Sequence, residues 1–254
     1  MKQPASIKGQ WDLFYSNYPE LYDKFSRYED SKNQIFEFIK RRVNLKNKII
    51  LDLGAGTGRY SILFSLLAKK VYALEPSLVM RNILRQRVKE NNIKNLYLIN
   101  KQAQDFELSN DSIDVIFSSW VLSGIYDWHS NTPKNELRQR KEEIVIIIAK
   151  LERILKNGGS IIVIETAPGQ YGGELQPIIM GGREDFSGNF TDWFTNKFGF
   201  KSFKKNTVFN FKSASEAAEI FGFVYGNKIR EYILQKEIKS IKMGVCIMIK
   251  KIEK

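Results

Sequence analysis

The stretch Ile49-Ile-Leu-Asp-Leu-Gly-Ala-Gly-Thr-Gly-Arg-Tyr-Ser61 decides the fold of this chain. An apolar run reaches an acidic residue, Asp52, breaks into glycines at positions 54, 56 and 58, and resumes as an apolar segment from Ile62. This pattern predicts a buried strand, a tight turn and the start of a helix. Because the turn reads Gly-x-Gly-x-Gly, its backbone can pass close to a ligand without side chains in the way.

Strand and helix patterns alternate from Lys48 onward. Five apolar runs have the character of strands: Ile49–Leu53, Val71–Leu74, Leu96–Asn100, Val115–Ser118 and Ser160–Glu165. Helical patterns separate them near residues 58–68, 77–91 and 134–156, and glycines 158 and 159 are placed to end the last of these helices as a C-cap. Such alternation predicts a parallel sheet with right-handed crossovers.

The segments on either side of this region predict helical additions. Most of the seven aromatic residues between positions 7 and 28 fall on one helical stripe, with Pro19 as a break. Asp30-Ser31 can cap a second helix. Residues 168–188 hold six glycines and predict a long mobile loop. A helix is expected at Phe190–Phe198, and strands are expected at Ser202–Phe211 and Ile241–Ile249. Between these strands, Ser213-Ala-Ser-Glu216 has the spacing of a capping box and predicts a helical region that runs to about Glu237.

Length and composition favour a metal-free globular protein. The 254 residues suffice for one large α/β domain with its own core. The single cysteine, Cys246, excludes an internal disulfide, and with one histidine a structural zinc site is not expected. The amino terminus lacks the apolar segment of a secretory signal, and no apolar run is long enough to span a bilayer. We therefore expect a cytoplasmic protein without a membrane segment.

The net charge of +12 raises the alternative of a nucleic-acid partner. The excess of lysine and arginine is spread over the whole chain rather than concentrated in one segment. Short basic clusters occur at Lys40-Arg41-Arg42 and Lys204-Lys205, where solvated ends of secondary structure are the simpler interpretation. Charge alone leaves a nucleic-acid acceptor open without favouring it.

Polar residues follow the other predicted strands. Glu75 ends the second strand, where a carboxylate can accept hydrogen bonds from both hydroxyls of a ribose. The third strand runs into Gln102-Ala-Gln-Asp105, and the fourth ends in Phe117-Ser-Ser-Trp120. In an open parallel sheet, ligands bind beyond the carboxyl ends of the strands, near the point where the strand order reverses. These residues are therefore expected to line one crevice.

From Lys48 to Thr166 these features resemble the class I S-adenosylmethionine-dependent methyltransferases, in the right order and at suitable spacing. The resemblance implies a three-layer, Rossmann-like α/β fold with a seven-stranded, mostly parallel sheet and an antiparallel last strand. It also implies one domain, made of an N-terminal helical cap (1–47), a cofactor-binding core (48–166) and a substrate-side part with a loop, a helical insertion and the last strands (167–254). S-adenosylmethionine would be the cofactor and S-adenosylhomocysteine the product.

The resemblance also implies roles for single residues. Asp52, Gly54 and Gly56 would bracket the methionine part of the cofactor, and Glu75 would hold its ribose. Many relatives place an acid before the alanine of the third-strand turn. This chain has Gln102 there, which leaves adenine contact to Gln104, Asp105 or backbone amides. The residues expected at the cofactor are Tyr15, Asp52, Gly54, Ala55, Gly56, Thr57, Glu75, Pro76, Ser77, Ala103, Gln104, Ser118 and Ser119.

Other uses of a glycine turn fit less well. A dinucleotide fold needs Gly-x-Gly-x-x-Gly, whereas here the third glycine comes one residue early and Arg59 occupies its place. Enzymes that methylate exocyclic amino groups of bases resemble one another in an Asp/Asn-Pro-Pro-Tyr/Phe run, and this chain has Ser118-Ser-Trp-Val121. Cytosine-C5 enzymes need a cysteine near the fourth strand, and Cys246 lies in the last one.

What remains favours a small-molecule acceptor, methylated at oxygen or nitrogen and held by aromatic side chains. His129, the only histidine, is the candidate general base. The alternatives are a tRNA, rRNA or protein acceptor, and a non-catalytic protein that uses the fold for binding. Packing of the N-terminal helix and a surface position for His129 are the simpler interpretations of these residues. The expected acceptor contacts are Trp11, Tyr22, Trp120, Tyr126 and Trp128.

Overall fold

The computed structural model describes residues 7–126, 133–181 and 187–254. Its strands form one seven-stranded sheet in the order β3-β2-β1-β4-β5-β7-β6. The strands are β1 (Ile49–Leu53), β2 (Lys70–Leu74), β3 (Leu96–Ile99), β4 (Ile113–Ser119), β5 (Leu155–Tyr171), β6 (Lys201–Asn210) and β7 (Ser240–Lys251).

The first five strands run parallel and the last reverses direction. β1 pairs in parallel with β2 and β4, β2 with β3, and β4 with β5. The end of β7 lies beside the start of β5, since Ile252 exchanges backbone hydrogen bonds with Gly158 and Gly159, each 2.8 Å long. Nearer the start of β7, Gly244 lies beside Gln170, near the end of β5. β7 is therefore antiparallel to β5, which confirms the predicted α/β fold with an antiparallel last strand.

The helices lie where the sequence alternates out of strand character. In chain order they are α1 (Ile7–Asn17), α2 (Pro19–Tyr28), α3 (Gln34–Lys40), α4 (Arg59–Ser65), α5 (Leu78–Glu90), α6 (Leu122–Tyr126), α7 (Lys134–Ile154), α8 (Gln176–Met180), α9 (Ser187–Phe198), α10 (Ala214–Tyr225) and α11 (Asn227–Gln235). α4, α5 and α7 supply the crossovers that parallel neighbours require. Among the helices of the described ranges, none has both the length and the apolar character needed to cross a bilayer.

The chain divides into two compact units. The first comprises Met1–Ile35, Thr166–Gly188 and Lys204–Val245, and the second comprises Phe36–Glu165, Asn189–Phe203 and Cys246–Lys254. The second unit contains β1 to β4 complete, whereas β5, β6 and β7 each have residues in both units. The single domain over residues 1–254 stays a prediction.

The second unit is built around buried aromatic and aliphatic side chains. Phe64 of α4 and Phe117 of β4 are fully buried, and their ring centroids are 4.9 Å apart. Tyr60 adds a third ring, 4.6 Å from that of Phe117. Ile50 and Leu51 of β1 are also fully buried, as expected of a strand that lies inside a parallel sheet.

In the first unit, the predicted aromatic stripe and its break at Pro19 are confirmed, because α1 ends at Asn17 and α2 begins at Pro19. Phe14 packs 5.3 Å from Phe223 of α10, and Phe25 packs 4.9 Å from Phe209 of β6. The predicted cap is also present, since both carboxylate oxygens of Asp30 accept amide hydrogens near the start of α3, each at 2.8 Å.

The predicted end of the long helix is wrong. α7 ends at Ile154 and β5 begins at the next residue, so glycines 158 and 159 belong to a strand. The reason is tertiary: Leu155 already pairs with Ile113 of β4, and the amide of Gly158 donates to Ile252. Strand partners on both sides thus draw this glycine pair into the sheet.

The predicted loop at 168–188 is also largely wrong. β5 continues to Tyr171, a 3₁₀ turn covers Gly173–Leu175, and α8 follows. Leu175 and Ile179 are buried, which supplies a reason for this segment to fold. Several of its glycines have positive φ at the ends of these elements, for example Gly172 (85°) and Gly181 (56°). Residues 182–186 lie outside the described ranges.

The predicted helical insertion is present as two helices, α10 and α11, separated at Gly226, where φ is 94°. The capping box is partly confirmed. Ser213 Oγ accepts the amide hydrogen of Glu216 at 3.1 Å, and the Glu216 carboxylate accepts the amide hydrogen of Lys212 at 3.0 Å. A capping box would instead join that carboxylate to the amide of Ser213.

Candidate cofactor and acceptor site

The strand order reverses between β1 and β4. β2 and β3 lie on one side of β1, and the chain then returns to place β4 on the other side. Leu53 and Ser118 are paired near the carboxyl ends of these two strands. In open α/β sheets, this switch point is where ligands bind. The crevice belongs to the second unit, between the glycine turn at 54–58 and the turn after β4.

The glycine turn is tied to β2 and packed against the turn after β4. The amides of Gly54 and Ala55 both donate to the carbonyl of Leu74, at 2.8 and 2.9 Å. Gly54 has φ of +74°, and a Cβ atom there would lie 2.2 Å from Cγ2 of Val121. The need for glycine at this position therefore comes in part from Val121, a contact that the sequence does not reveal.

Glu75 is held at the end of β2 by two backbone amides. The side chain is buried, and its carboxylate accepts from Gly56 N–H at 2.9 Å and from Ser77 N–H at 2.8 Å. Burial raises the pKa of Glu75, while the two amides and the charge of Arg81 oppose this shift. Each carboxylate oxygen has a further lone pair, so ribose hydroxyls can still bind. This environment is not that of a solvated acid at a strand end.

The turn after Glu75 is fixed by a buried arginine. Nη1 of Arg81 donates to the carbonyls of Glu75 and Pro76, at 2.7 and 2.6 Å. Ser77 serves as the N-cap of α5, and its Oγ accepts from the amide of Met80 at 3.5 Å. Pro76 and Ser77 therefore have a structural function in this turn, and their contact with the cofactor stays a prediction.

Asp52 is the second buried acid of the crevice. Its Oδ2 accepts a hydrogen bond from Ser61 Oγ at 2.5 Å, and neither side chain is exposed to solvent by more than about 1%. Burial raises the pKa of Asp52 to about 7, and the nearby negative charge of Glu75 adds to this effect. Two acids in one buried crevice favour a ligand that carries positive charge.

Two buried hydroxyls of the crevice lack hydrogen-bond partners. Thr57 Oγ1 lies in the glycine turn and Ser118 Oγ at the end of β4, and both side chains are at most 2% exposed. Buried hydroxyls are normally hydrogen-bonded, so this pair indicates a polar ligand. The carboxylate, ammonium and hydroxyl groups of S-adenosylmethionine suit such a site. Within the described ranges, no group of three or more His, Cys, Asp or Glu residues is arranged to hold a metal ion.

The turn after β3 contacts α7. Ala103 is buried, but Gln104 is exposed, and its side-chain amide donates to the carboxylate of Glu143. Lys150 Nζ donates to the carbonyl of Gln104 at 2.7 Å. Contact between the Gln104 side chain and adenine stays a prediction, and while the bond to Glu143 is kept, the amide oxygen and the second N–H are the groups available for it. Ala103 needs no such change.

An aromatic cluster follows β4. Tyr126 of α6 is buried, with its ring 5.3 Å from that of Phe190 and 5.2 Å from that of Trp193. Lys141 Nζ lies 5.4 Å from the ring centres of both Tyr126 and Trp193. Sequence reasoning placed a helix at Phe190 and Trp193 but gave neither residue a function. We call Tyr126, Phe190, Trp193 and Lys141 the aromatic wall.

The remaining residues after β4 are only partly described. Ser119 and Trp120 are half-buried, and the Trp120 amide donates to the carbonyl of Ile164 at 2.9 Å. Trp120 has φ of +53°, an uncommon conformation for a bulky residue. Trp128 and His129 lie outside the described residues, so their proposed contacts stay predictions.

Glu165 is a buried acid that sequence reasoning missed. It ends the predicted fifth strand, yet no function was assigned to it. Its Oε2 accepts from Ser123 Oγ at 2.5 Å and its Oε1 from Ser123 N–H at 3.1 Å. Burial raises the pKa of Glu165 to about 7. An acid at the carboxyl end of a core strand was the available signal.

Trp11, Tyr15 and Tyr22 belong to the first unit and are half-buried there. The ring of Tyr15 lies 5.9 Å from that of Trp11 and 4.7 Å from that of Tyr22. Trp11 also packs edge-on against Phe25 at 5.5 Å. These contacts support the simpler interpretation that the aromatics pack α1 and α2. Their contact with cofactor or acceptor stays a prediction.

Comparisons with known proteins agree with this geometry. Residues 50–159 match a family model described as a methyltransferase domain. A demethylmenaquinone methyltransferase of Geobacillus sp. (strain WCH70) is 22% identical over 251 residues, which cover 90% of this chain and 93% of that protein. An uncharacterized methyltransferase of Bacillus mycoides (strain KBAB4) is 26% identical over 162 residues, 62% of this chain and 68% of its own length.

A solved structure shares the fold. The crystal structure of a SAM-dependent methyltransferase from Aquifex aeolicus aligns with a TM-score of 0.52 and 14% sequence identity, over 90% of this chain and 97% of that one. The matched domain covers β1 to the start of β5, which are the strands that carry the crevice. Residues 50–159 therefore form a methyltransferase domain with the class I, Rossmann-like fold, and this domain and fold imply S-adenosylmethionine as the cofactor.

Proposed function

We propose that the enzyme methylates an oxygen or nitrogen atom of a small-molecule acceptor in the cytoplasm. The observation that carries this proposal is the aromatic wall after β4. Trp193 is half-buried beside the buried ring of Tyr126, with the two ring centroids 5.2 Å apart and Lys141 Nζ 5.4 Å from the Trp193 ring centre, and it offers an aromatic face suited to a flat, partly apolar molecule. The acceptor therefore has a planar ring and a polar or negatively charged substituent for Lys141.

The relative from Geobacillus supports the same class of acceptor. Its name gives demethylmenaquinone as its substrate, which is a small molecule with a planar ring system, and the alignment covers 90% of this chain. At 22% identity this relative is distant, so it supports a small-molecule acceptor only in general terms.

The chemistry asks little of the protein beyond position and charge. S-adenosylmethionine supplies a methyl group that its sulfonium already makes electrophilic. Asp52, Glu75, Thr57 and Ser118 would hold this cofactor. The site must then align the acceptor with the methyl group, exclude water and accept a proton. His129 is the candidate for this last task that the sequence offers.

Two other functions compete with this proposal. A nucleic-acid or protein acceptor would use the basic surface, including the exposed lysines 201 and 204 on strand β6. A non-catalytic binding protein would keep the cofactor and transfer nothing. Its crevice would then have no need of the aromatic wall.

A label-transfer experiment separates these functions. The protein is incubated with S-adenosylmethionine labelled in the methyl group and with separate small-molecule, RNA and protein fractions of a cell extract, at low and high salt. We expect label in the small-molecule fraction with little dependence on salt. Label in RNA that falls steeply with salt would contradict the proposal, as would label in protein or cofactor binding without transfer.

The aromatic wall is tested with a matched pair of variants. Trp193→Ala should raise KM for the small acceptor and leave cofactor affinity unchanged. Tyr97→Ala removes an exposed aromatic ring on the edge strand β3 and should change neither quantity. Equal effects of the two substitutions on KM would remove the aromatic wall from acceptor binding.

A further inference from the structure

We propose that Glu165 and Ser123 form a pair that accepts the acceptor's proton, with Ser123 in contact with the acceptor and Glu165 behind it. This inference rests on the proposed function and adds the route by which the proton leaves. Neither residue is on the list of expected site residues that the sequence supplied. We call these two residues the Ser123–Glu165 pair.

The pair lies near the carboxyl ends of β4 and β5, on the side of the sheet where ligands bind. Glu165 follows Ile164, which pairs with Ser119 and accepts the amide hydrogen of Trp120 at 2.9 Å. Ser123 lies in the first turn of α6, directly after β4. In the strand order β2-β1-β4-β5, the acids Asp52 and Glu75 belong to β1 and β2, and Glu165 belongs to β5. The pair is thus on the side of β4 that faces away from the cofactor acids.

Exposure gives the two members of the pair different tasks. Glu165 is 2% exposed, whereas Ser123 is only half-buried. Oγ of Ser123 donates to Glu165 at 2.5 Å, so its lone pairs can accept a hydrogen from a bound molecule. A molecule in the crevice therefore reaches the carboxylate through the serine hydroxyl.

A second buried pair in this unit serves as an internal comparison. Asp52 and Ser61 form the same kind of hydrogen bond, also 2.5 Å long. Ser61, however, is fully buried, so no bound molecule can reach Asp52 through it. The difference in exposure between Ser61 and Ser123 is what assigns proton transfer to the Ser123–Glu165 pair rather than to Asp52 and Ser61.

The surroundings of Glu165 support this function. Burial holds the pKa of the carboxyl near neutrality, where a proton acceptor is most effective at neutral pH. The groups that oppose the shift are uncharged: the Ser123 hydroxyl and the amides of Ser123 and Leu122. On neighbouring elements, Tyr126 of α6 and Lys141 of α7 are the titratable side chains of the aromatic wall. Asp114 and Lys156 pair with each other near the amino ends of β4 and β5, away from Glu165.

Methyl transfer and proton removal involve three groups: the acceptor, Ser123 and Glu165. A lone pair on the acceptor oxygen or nitrogen forms the bond to the methyl carbon, and the electrons of the carbon–sulfur bond remain on sulfur. The acceptor atom, now positively charged, gives its proton to Ser123 Oγ, while Ser123 passes its own proton to the Glu165 carboxylate. The carboxyl group then releases this proton to water after the product leaves.

A purely structural function for Glu165 is the competing explanation. The carboxylate accepts the amide hydrogen of Ser123 and so helps to hold the start of α6. A glutamine would still accept this bond through its amide oxygen, but it cannot take up a proton. Glu165→Gln therefore separates the two functions.

The first test needs no acceptor. Infrared difference spectroscopy of the cofactor-free protein records the titration of its buried carboxyl groups. The titration of Glu165 is identified as the one that disappears in Glu165→Gln. Because the Ser123 hydroxyl lowers the pKa of Glu165, Ser123→Ala should move this titration to higher pH. Ser61→Ala is the matched control and should move the titration of Asp52 instead. A Glu165 titration that Ser123→Ala leaves in place would overturn the proposed pair.

The second test uses the acceptor found by label transfer, at saturating S-adenosylmethionine. Turnover of the wild type should fall as the pH drops below about 7, because Glu165 becomes protonated. Glu165→Gln should lower turnover by about a hundredfold or more and abolish this pH dependence, with cofactor affinity unchanged. Ser123→Ala should act in the same direction, and Ser61→Ala should keep the pH dependence.

The outcomes distinguish this inference from the function on which it rests. If Glu165→Gln turns over as fast as the wild type and keeps its pH dependence, Glu165 has only a structural function and the inference is overturned. If no small molecule accepts label, the proposed function fails. The infrared titration then still decides whether Ser123 and Glu165 are coupled. Unchanged cofactor affinity verifies that Glu165→Gln and Ser123→Ala are folded.

Discussion

Replacing Asp52 by asparagine should remove a strong dependence of stability on pH. The unfolded carboxyl ionises near 3.8, whereas burial raises the pKa in the folded protein to about 7. Between these values the folded state binds more protons than the unfolded state, so the free energy of unfolding falls as pH rises. A difference of about three pH units corresponds to about 4 kcal/mol. Asparagine cannot ionise, and its side-chain oxygen can still accept from Ser61.

Thermal unfolding of the cofactor-free protein between pH 5 and pH 8 measures this effect. Between pH 5 and pH 8 only the part up to about pH 7 is sampled, which is about two pH units or about 2.7 kcal/mol, and for a chain of this size this corresponds to roughly 8 °C in Tm. The wild type should lose at least that much on going from pH 5 to pH 8, and Asp52→Asn should lose about 8 °C less. Glu165 adds a loss of the same sign in both proteins.

Asp114→Asn is the control of opposite sign. The pKa of Asp114 is lowered by the Ile49 amide and by Lys156 and Lys48, against the effect of burial. Its stabilising contribution is present above the ordinary pKa and is lost in acid, so its removal should not flatten the profile between pH 5 and pH 8. If Tm depends on pH in the same way in Asp52→Asn and in the wild type, the pKa of the buried Asp52 carboxyl is not raised and the prediction is wrong.

The affinity for the cofactor should depend on the ionisation of Asp52. S-adenosylmethionine is a cation at its sulfonium and favours the ionised form of Asp52. If binding lowers the pKa of Asp52 well below 6, affinity should be about tenfold higher at pH 8 than at pH 6. Calorimetric titration at the two values checks this, and the difference should disappear in Asp52→Asn.

Three further outcomes are expected. Glu75→Ala should weaken cofactor binding by about 2–3 kcal/mol, the scale of lost hydrogen bonds to a charged group, and calorimetry that finds wild-type affinity would contradict the ribose assignment. Gly54→Ala should lower the free energy of unfolding in denaturant titrations, since its Cβ would meet Val121 at 2.2 Å. Adding Val121→Ala should restore part of the loss, and no restoration would exclude this contact as the cause. If His129 is the proton acceptor in place of the Ser123–Glu165 pair, His129→Ala should lower turnover at unchanged cofactor affinity, and turnover unchanged at every pH would remove His129 from the mechanism.

The part of the fold that sequence reasoning predicted correctly depends on local interactions. The bounds of β1 and the glycine turn follow from an apolar run and from backbone conformations that glycine favours, and both are properties of neighbouring residues. The break at Pro19 and the cap at Asp30 are local in the same way. The position of Glu75 at a strand end follows from the period of the pattern, whereas its place beside the glycine turn depends on the pairing of β1 with β2.

What the sequence by itself determined was the order of the elements and the residues at the carboxyl ends of the strands, because helix and strand periods and turn conformations are local. Only the tertiary structure decided that β5 begins at Leu155, that Gly54 lies against Val121, and that Ser123 reaches Glu165 across 42 positions of sequence. Those facts depend on which strands pair and on which side chains lose contact with water. Burial and pairing arise from residues far apart in the chain, so no pattern of neighbouring residues records them.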